Sequence, residues 1–417
     1  MIKFLHKIIL LSCLAMFGLL FNSCSVSGGN DVNQNNMNLR TLSSPSGLYS
    51  QNYANAPTGC YEIIQWASGD ANILFNDLQS KQRVFLSSDL GSNHDNESDP
   101  SYIKSSSCGL SIMKSDKYLY VLGCGRQAKS SEELEFPSFL EQRELTGGMV
   151  NSIELPANMI FNEGGAFAAG NDKLYFATTV FTYNDNDISY RYWLYTYDEK
   201  TGILSPFYEF TTVTYAGIIS AYDDVLVIKC VEKIDGKPNI CIYGLNIFTS
   251  EFYKIRDLTD EEYTMALNDK LYMLYSDKSI KEYSITEDTT TSLVSFGDEV
   301  TRVSLVAEPV DDNLFIYTYN ENTYESKYYV FNTADKSLKE IDLYNDEGHF
   351  IGIYGRRGDY YFVITGEKLV SFKNIAPDHM TVFDDERVDY EYAWIKKSDY
   401  CNSIPNFEPI ESKIEYR

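Results

Sequence analysis

The sequence predicts an all-β protein, a β-propeller of seven four-stranded blades. Three observations predict it. A phrase recurs in which a turn ending in Asp is followed by an aromatic or aliphatic run: Ser115-Asp116-Lys117-Tyr118-Leu119-Tyr120, Asn171-Asp172-Lys173-Leu174-Tyr175-Phe176 and Asp223-Asp224-Val225-Leu226-Val227. It returns as Asn268-Asp269-Lys270-Leu271-Tyr272, Asp311-Asp312-Asn313-Leu314-Phe315 and Gly358-Asp359-Tyr360-Tyr361-Phe362. The marker Asp residues 116, 172, 224, 269, 312 and 359 stand 56, 52, 45, 43 and 47 residues apart. Such a period marks a supersecondary unit that cannot bury its apolar faces alone. A second landmark follows in fixed order: Tyr197-Asp198-Glu199-Lys200-Thr201-Gly202, Leu245-Asn246-Ile247-Phe248-Thr249-Ser250 and Phe331-Asn332-Thr333-Ala334-Asp335-Lys336. Asp or Asn there bends the chain through side-chain bonds to the backbone. Finally, the runs alternate with period two and draw on 34 Tyr and 23 Phe, residues that suit pleated surfaces.

Each unit divides into four short runs. In the fourth they are residues 216–220, 225–234, 239–246 and 251–255; in the fifth, 263–267, 270–275, 280–285 and 292–296. The sixth repeats the pattern at 303–307, 313–319, 327–332 and 338–343. Four antiparallel strands per unit of this length describe a propeller blade. Residues 58–400 hold seven such units, with six or eight as the alternatives because the first two units are degenerate. The first offers three runs, 61–65, 72–76 and 83–86. The strand-like segment Tyr390-Glu391-Tyr392-Ala393-Trp394-Ile395 is therefore expected to complete that blade, tying the chain ends together and removing sheet edges. Residues 401–417 are read as a tail.

Residues 1–23 read as a signal peptide, with Lys3 and Lys7 ahead of an apolar run at 8–21. That run is shorter than the ~20 residues of a spanning helix. Phe21-Asn22-Ser23-Cys24 is similar to a bacterial lipobox, which makes Cys24 the candidate lipidation site. The chain is thus expected on the outer face of the cytoplasmic membrane, of Gram-positive type, with the membrane as a partner through its lipid. Residues 24–57, rich in Asn, Ser and Gln, read as a flexible tether.

The formal net charge is −25. Such a surface repels phosphate backbones, so no nucleic-acid partner is expected. No GxSxG, HExxH or Walker motif occurs, and a histidine-dependent triad would have to draw on His94, His349 or His379. No catalytic residue and no cofactor is assigned. Carboxylates abound, which keeps a paired-carboxylate carbohydrate hydrolase or lyase as the alternative function.

Six cysteines follow Cys24. The two-residue turn Asp235-Gly236 sets Cys230 opposite Cys241 at a hydrogen-bonded position, within the Cα reach of a disulfide. Cys108 and Cys124 flank the turn at Asp116, and Cys60 would meet Cys401 through the closure above. These are the three candidate disulfides, with buried thiols as the alternative. Their spacing is not that of a zinc site, and no metal is expected. Arg357-Gly358-Asp359 spells an adhesion tripeptide but falls where a turn is expected. Asp185-Asn186-Asp187, with Asn184 and Ser189, offers oxygens to calcium yet lacks the Gly and distal Glu of an EF-hand loop.

The chain resembles uncharacterised surface lipoproteins of clostridial gut bacteria that carry TolB-like or DUF5050-type propeller repeats. The resemblance rests on the Cys24 segment, the repeated Asn-Asp-Lys-Leu-Tyr phrase, Asn72-Ile73-Leu74-Phe75-Asn76-Asp77 with Arg83-Val84-Phe85-Leu86, and the ending Ile395-Lys396-Lys397-Ser398-Asp399-Tyr400. The family's Cys- and His-containing loop is here reduced to His94 and distant Cys108. The resemblance implies a propeller on the cell surface and no assigned activity. The functional expectation is a lipid-anchored binding or scaffolding protein for an unidentified protein, peptide or glycan.

Overall fold

Seven four-stranded antiparallel sheets follow one another along the chain as the blades of a propeller. The computed structural model describes residues 38–42, 52–66, 69–87, 92–104, 109–127, 134–162, 165–184, 187–258, 261–375 and 382–414. Blade 1 comprises Tyr53–Asn55, Gly59–Gln65, Ala71–Asp77 and Gln82–Phe85; blade 2, Leu110–Lys114, Tyr118–Gly123, Phe139–Glu144 and Met149–Glu154. Blade 3 comprises Phe167–Gly170, Lys173–Asn184, Asp187–Asp198 and Leu204–Phe210; blade 4, Val213–Tyr222, Val225–Ile234, Lys237–Asn246 and Phe252–Leu258. Blade 5 runs from Glu261–Leu267 to Thr289–Ser295 and blade 6 from Arg302–Val310 to Leu338–Ile341. Blade 7 comprises Ile353–Arg357, Tyr360–Ile375, Val382–Lys396 and Glu408–Pro409. First strands of successive blades pack on one another, so they face the axis. Among the described residues no helix is long and apolar enough to cross a membrane.

The two sequence landmarks are the blade's two tight turns. Asn171 and Asp172, and Asp311 and Asp312, all take positive φ between 50° and 62°. This is the mirror-image hairpin turn that Asn and Asp tolerate and whose twist suits flanking strands. At the second landmark the side chain caps the turn. Asp198 Oδ1 accepts the N–H groups of Lys200 and Thr201 at 3.1 and 2.9 Å. Asn246 Oδ1 does the same for Phe248 and Thr249, and Asn332 for Ala334 and Asp335. Gly202, Ser250 and Lys336 then supply the left-handed residue that ends each turn.

Inward-facing side chains of each blade meet those of the next. Seven clusters of buried residues each span one pair of neighbouring blades, from Tyr61 and Ile112 between blades 1 and 2 to Phe315 and Tyr361 between blades 6 and 7. Each fully buried Leu, Ile, Val or Phe contributes about 1.5–3 kcal/mol, so a blade is stable only between two others.

A C-terminal strand pairs with the first blade as expected, but it is not the segment expected. Residues 390–395 belong to the third strand of blade 7, paired with Tyr360–Ile375, and do not complete blade 1. Blade 1 has an inner strand of its own, Tyr53–Asn55, inside the stretch read as tether. Closure comes instead from the last residues. Ile410 N–H donates to Tyr392 of blade 7, and Glu411 N–H to Lys81 of blade 1. Glu411–Ser412 then adds a parallel strand to the outer edge of blade 1. At the axis, Arg40–Thr41 adds an innermost strand to blade 3, and Leu39 N–H donates to Asp223 O at 2.8 Å.

Candidate functional site

The turns between first and second strands gather around one end of the axis. They are linked there by charge across blades. Lys117 of blade 2 pairs with Asp172 of blade 3, and Lys397 of blade 7 with Asp311 of blade 6. Arg40 pairs with Asp116 at 2.6 Å. The Arg356 N–H donates to Asn55 Oδ1 at 2.6 Å, joining blade 7 to blade 1.

A cavity of about 450 Å³ opens among these turns, lined by Asn55, Ala56, Pro57, Lys114, Asp311, Arg356, Arg357, Gly358 and Lys397. Among the described residues the lining carries four cations and one carboxylate, in a chain with 60 acidic and 35 basic residues. Asp311 is taken by Lys397 and lies 3.9 Å from Arg356. Lys114 donates from Nζ to the Ser115 carbonyl at 2.9 Å. Burial, then the guanidiniums of Arg40 and Arg357, hold its ammonium below the ordinary lysine value, with Asp116 opposing them. Gly358 takes φ +51°, and a Cβ there would meet nothing within 4 Å, so the turn leaves the cavity mouth open. Arg357 and Gly358, read from the sequence as part of a turn, are thus also cavity residues. Asp311 was likewise read as part of a turn, but no sequence signal says that the lining residues meet, because only ring closure brings blades 1, 2, 6 and 7 together.

The candidate disulfides fare differently. Cys230 lies directly opposite Cys241, as the register predicted, and both thiols are free. Cys241 Sγ is 3.1 Å from Asp257 Oδ1 and 3.3 Å from Glu232 Oε2. Glu232, Cys241 and Asp257 hold ligand atoms within 4.8 Å of one another. The Lys254 ammonium stands 3.0 Å from both carboxylates, in the place a bound cation would take. Cys60 is buried between blades 7 and 1, whereas Cys401 packs between blades 6 and 7. Both are free, because the strand expected to unite them lies in blade 7. Cys124 is buried between blades 2 and 3; Cys108 lies outside the described residues, as do Cys24, Asp185, Asn186 and His379.

His94 is held by a carboxylate: its Nδ1 is 2.8 Å from Asp99 Oδ2, and its ring stacks on Phe85 at 4.1 Å. Burial works to raise the Asp99 pKa, but hydrogen bonds from Ser101, Ser92 and His94 bring it down to about 2. This pair belongs to blade 1 and does not line the axial cavity.

No family model matches the chain, and no curated protein matches it. Among solved structures, the chain is similar to an acylaminoacyl peptidase of Pyrococcus horikoshii: 12% identity and TM-score 0.45 over 83% of this chain and 50% of the peptidase. This chain thus spans half the length of that enzyme. It is also similar to TolB from Acinetobacter baumannii, at 10% identity and TM-score 0.32 over 83% and 77% of the two chains. An oligogalacturonate lyase in complex with manganese gives 10% identity and TM-score 0.37 over 72% of this chain and 94% of the lyase. These are likenesses of chain path at low identity, and function is argued from this chain's own residues.

Proposed function

We propose that the protein is a lipid-anchored extracellular binding or scaffolding protein that seats its ligand in the axial cavity. The observation that carries this reading is the cavity itself, a concave site built by turns of four blades on a rigid ring. Its volume falls in the ~300–1,000 Å³ range of ligand sites, and turns on a rigid scaffold are where binding residues concentrate. The rival reading, a carbohydrate hydrolase or lyase, needs two carboxylates facing one substrate. Asp311 is the single carboxylate of the lining among the described residues, and it is already paired with Lys397. The anchoring half of the proposal rests on the Cys24 segment.

Affinity capture from detergent-solubilised cells, comparing the wild type with Pro57→Trp, tests it. Pro57 is exposed and lines the cavity, so a ring there fills the site and leaves the core intact. Loss of a specific co-purifying ligand in the variant supports the reading. Identical capture by both proteins overturns it. Incorporation of a fatty-acid label by the wild type, absent in Cys24→Ala, tests the anchor.

A further inference from the structure

We infer that the axial cavity is a receptor for carboxylates presented by an acidic peptide segment of a partner, with Arg357 and Lys114 as the anion-binding pair. The inference rests on the reading that this cavity seats the ligand.

The sign of the cavity is the first observation. Among the described residues its lining carries an excess of three positive charges, within a chain of net charge −25. A random sample of this surface would be acidic. The positive charge is instead concentrated where blades 2, 6 and 7 converge on the axis.

The second observation is which cations are left over. Lys397 and Arg356 face Asp311, and Arg40 faces Asp116. The Arg357 guanidinium makes no hydrogen bond or ion pair among the described residues, and the Lys114 ammonium reaches a backbone carbonyl, not a carboxylate. These two groups come from different blades and line one cavity, and the carboxylate whose charge reaches Lys114, that of Asp116, is already paired with Arg40. Like charges held together in a half-buried site are unfavourable unless an anion joins them. A carboxylate between them would gain the planar fork of Arg357 and the point charge of Lys114.

The third observation concerns the ligand's other atoms. Among the described residues no aromatic ring lines the cavity, so they offer a sugar ring no flat apolar platform. The lining offers instead a small apolar shelf, Ala56-Pro57, and the Asn55 amide. Its Oδ1 is taken by the Arg356 N–H, and its Nδ2 makes no bond among the described residues. A free amide donor beside a small apolar shelf suits a peptide carbonyl and Cβ.

The acidic remainder of the surface does not cancel the site. At about 0.15 M salt charges beyond roughly 8 Å are screened, while contact pairs persist.

The test is fluorescence anisotropy of a labelled peptide of alternating Asp and Gly against the full chain at that salt, with the Asn-Gly peptide as its neutral counterpart. The Asp peptide is expected to bind and the Asn peptide not. Arg357→Gln and Lys114→Gln should each weaken binding by about tenfold or more. Arg357 is exposed, so its variant keeps the fold. Equal binding of the two peptides, or undiminished affinity of Arg357→Gln, overturns the inference. Binding of trigalacturonate without the Asp peptide overturns the peptide class in favour of an acidic glycan. Displacement by inorganic phosphate but not by Asp peptide reduces the site to a simple anion site and overturns it equally. If Pro57→Trp abolishes partner capture while Arg357→Gln leaves it intact, the cavity reading stands and the anionic one falls. If neither variant changes capture, both fall.

Discussion

Arg83 of blade 1 and Asp389 of blade 7 meet at 2.8 Å across the closure of the ring, each side chain 2% exposed. Arg83 also holds Glu62 in a two-point pair at 2.9 and 2.7 Å, and its guanidinium lies 4.9 Å over the Tyr392 ring. Tyr392 donates to Glu62 at 2.8 Å, and Asn76 does so at 3.0 Å. Other blade interfaces are mostly apolar; the one that must join the two ends of the chain is wired through buried charge. Such a network costs desolvation, and removing one partner leaves a buried charge without its counterpart.

Asp389→Ala removes one anion and leaves Arg83 with Glu62 alone. The expected loss is about 3 kcal/mol, the lower end for a broken buried pair because one partner survives. Chemical denaturation of the two proteins reads this directly, with Asp389→Asn as an intermediate case. A loss below about 1 kcal/mol would mean that the ring closes through its apolar contacts and the C-terminal strand alone.

Asp99 gives the fold a dependence on acid. Its carboxyl, fully buried, titrates near 2 in the folded chain against an ordinary value of 3.8. A depressed carboxylate contributes stability above its unfolded pKa and loses it as pH falls through the folded one. The window is therefore between about pH 4 and pH 2, and the contribution at neutral pH is about 2 kcal/mol. Denaturation midpoints measured across this window should fall for the wild type and change less for Asp99→Asn. Parallel curves for the two proteins would show that Asp99 does not set the acid limit.

Much of this was legible because local chemistry repeats. Asn171-Asp172 and Asp311-Asp312 announce hairpins that their φ angles confirm, and Asp235-Gly236 fixes the register that puts Cys230 opposite Cys241. Which strands close the ring was not legible. Tyr53–Asn55 and Glu411–Ser412 are three and two residues long, too short to show alternation, and they are strands because a neighbouring edge makes them so. Trp394 and Ile395 looked like a spare strand because their partners, Phe362 and Tyr361, stand far back in the sequence. Nor could the cavity be read in advance. Lys114, Asp311 and Arg357 belong to three different blades, with Lys397 on the blade of Arg357, and their meeting is a property of the ring.

The opposed thiols of blade 4 should be inert. For Cys230 burial, then Cys241 and Glu232, push the thiol up to about 12. For Cys241 burial and hydrogen bonds to Asp257 and Glu232 do the same, again to about 12. The thiolate population at neutral pH is then about a thousandfold below that of a free cysteine. A hydrogen-bonded pair also spaces its Cβ atoms at up to about 5.5 Å, wider than the roughly 3.8 Å a disulfide prefers. Mass spectrometry after iodoacetamide treatment should find both unmodified in the native state and both modified in denaturant. Fast native labelling, or a mass loss of two hydrogens localised to this pair, would refute the dithiol.

Arg357 and Lys114 set function against stability. The Lys114 ammonium is depressed in the folded chain by burial and by its cationic neighbours. A lysine whose folded pKa lies below its unfolded one weakens the fold while protonated, and the penalty fades as pH rises through the folded value. Removing the neighbouring charge relieves part of it. Arg357→Gln should therefore gain about 0.5 kcal/mol at neutral pH, the scale of one partly exposed charge interaction. The gain should shrink in alkaline solution as Lys114 loses its proton. A variant that is more stable yet binds the acidic peptide more weakly is the signature of a site kept strained for its ligand. Were Arg357→Gln less stable at neutral pH, the guanidinium would be serving the fold, and the excess positive charge at the axis would need a structural explanation instead.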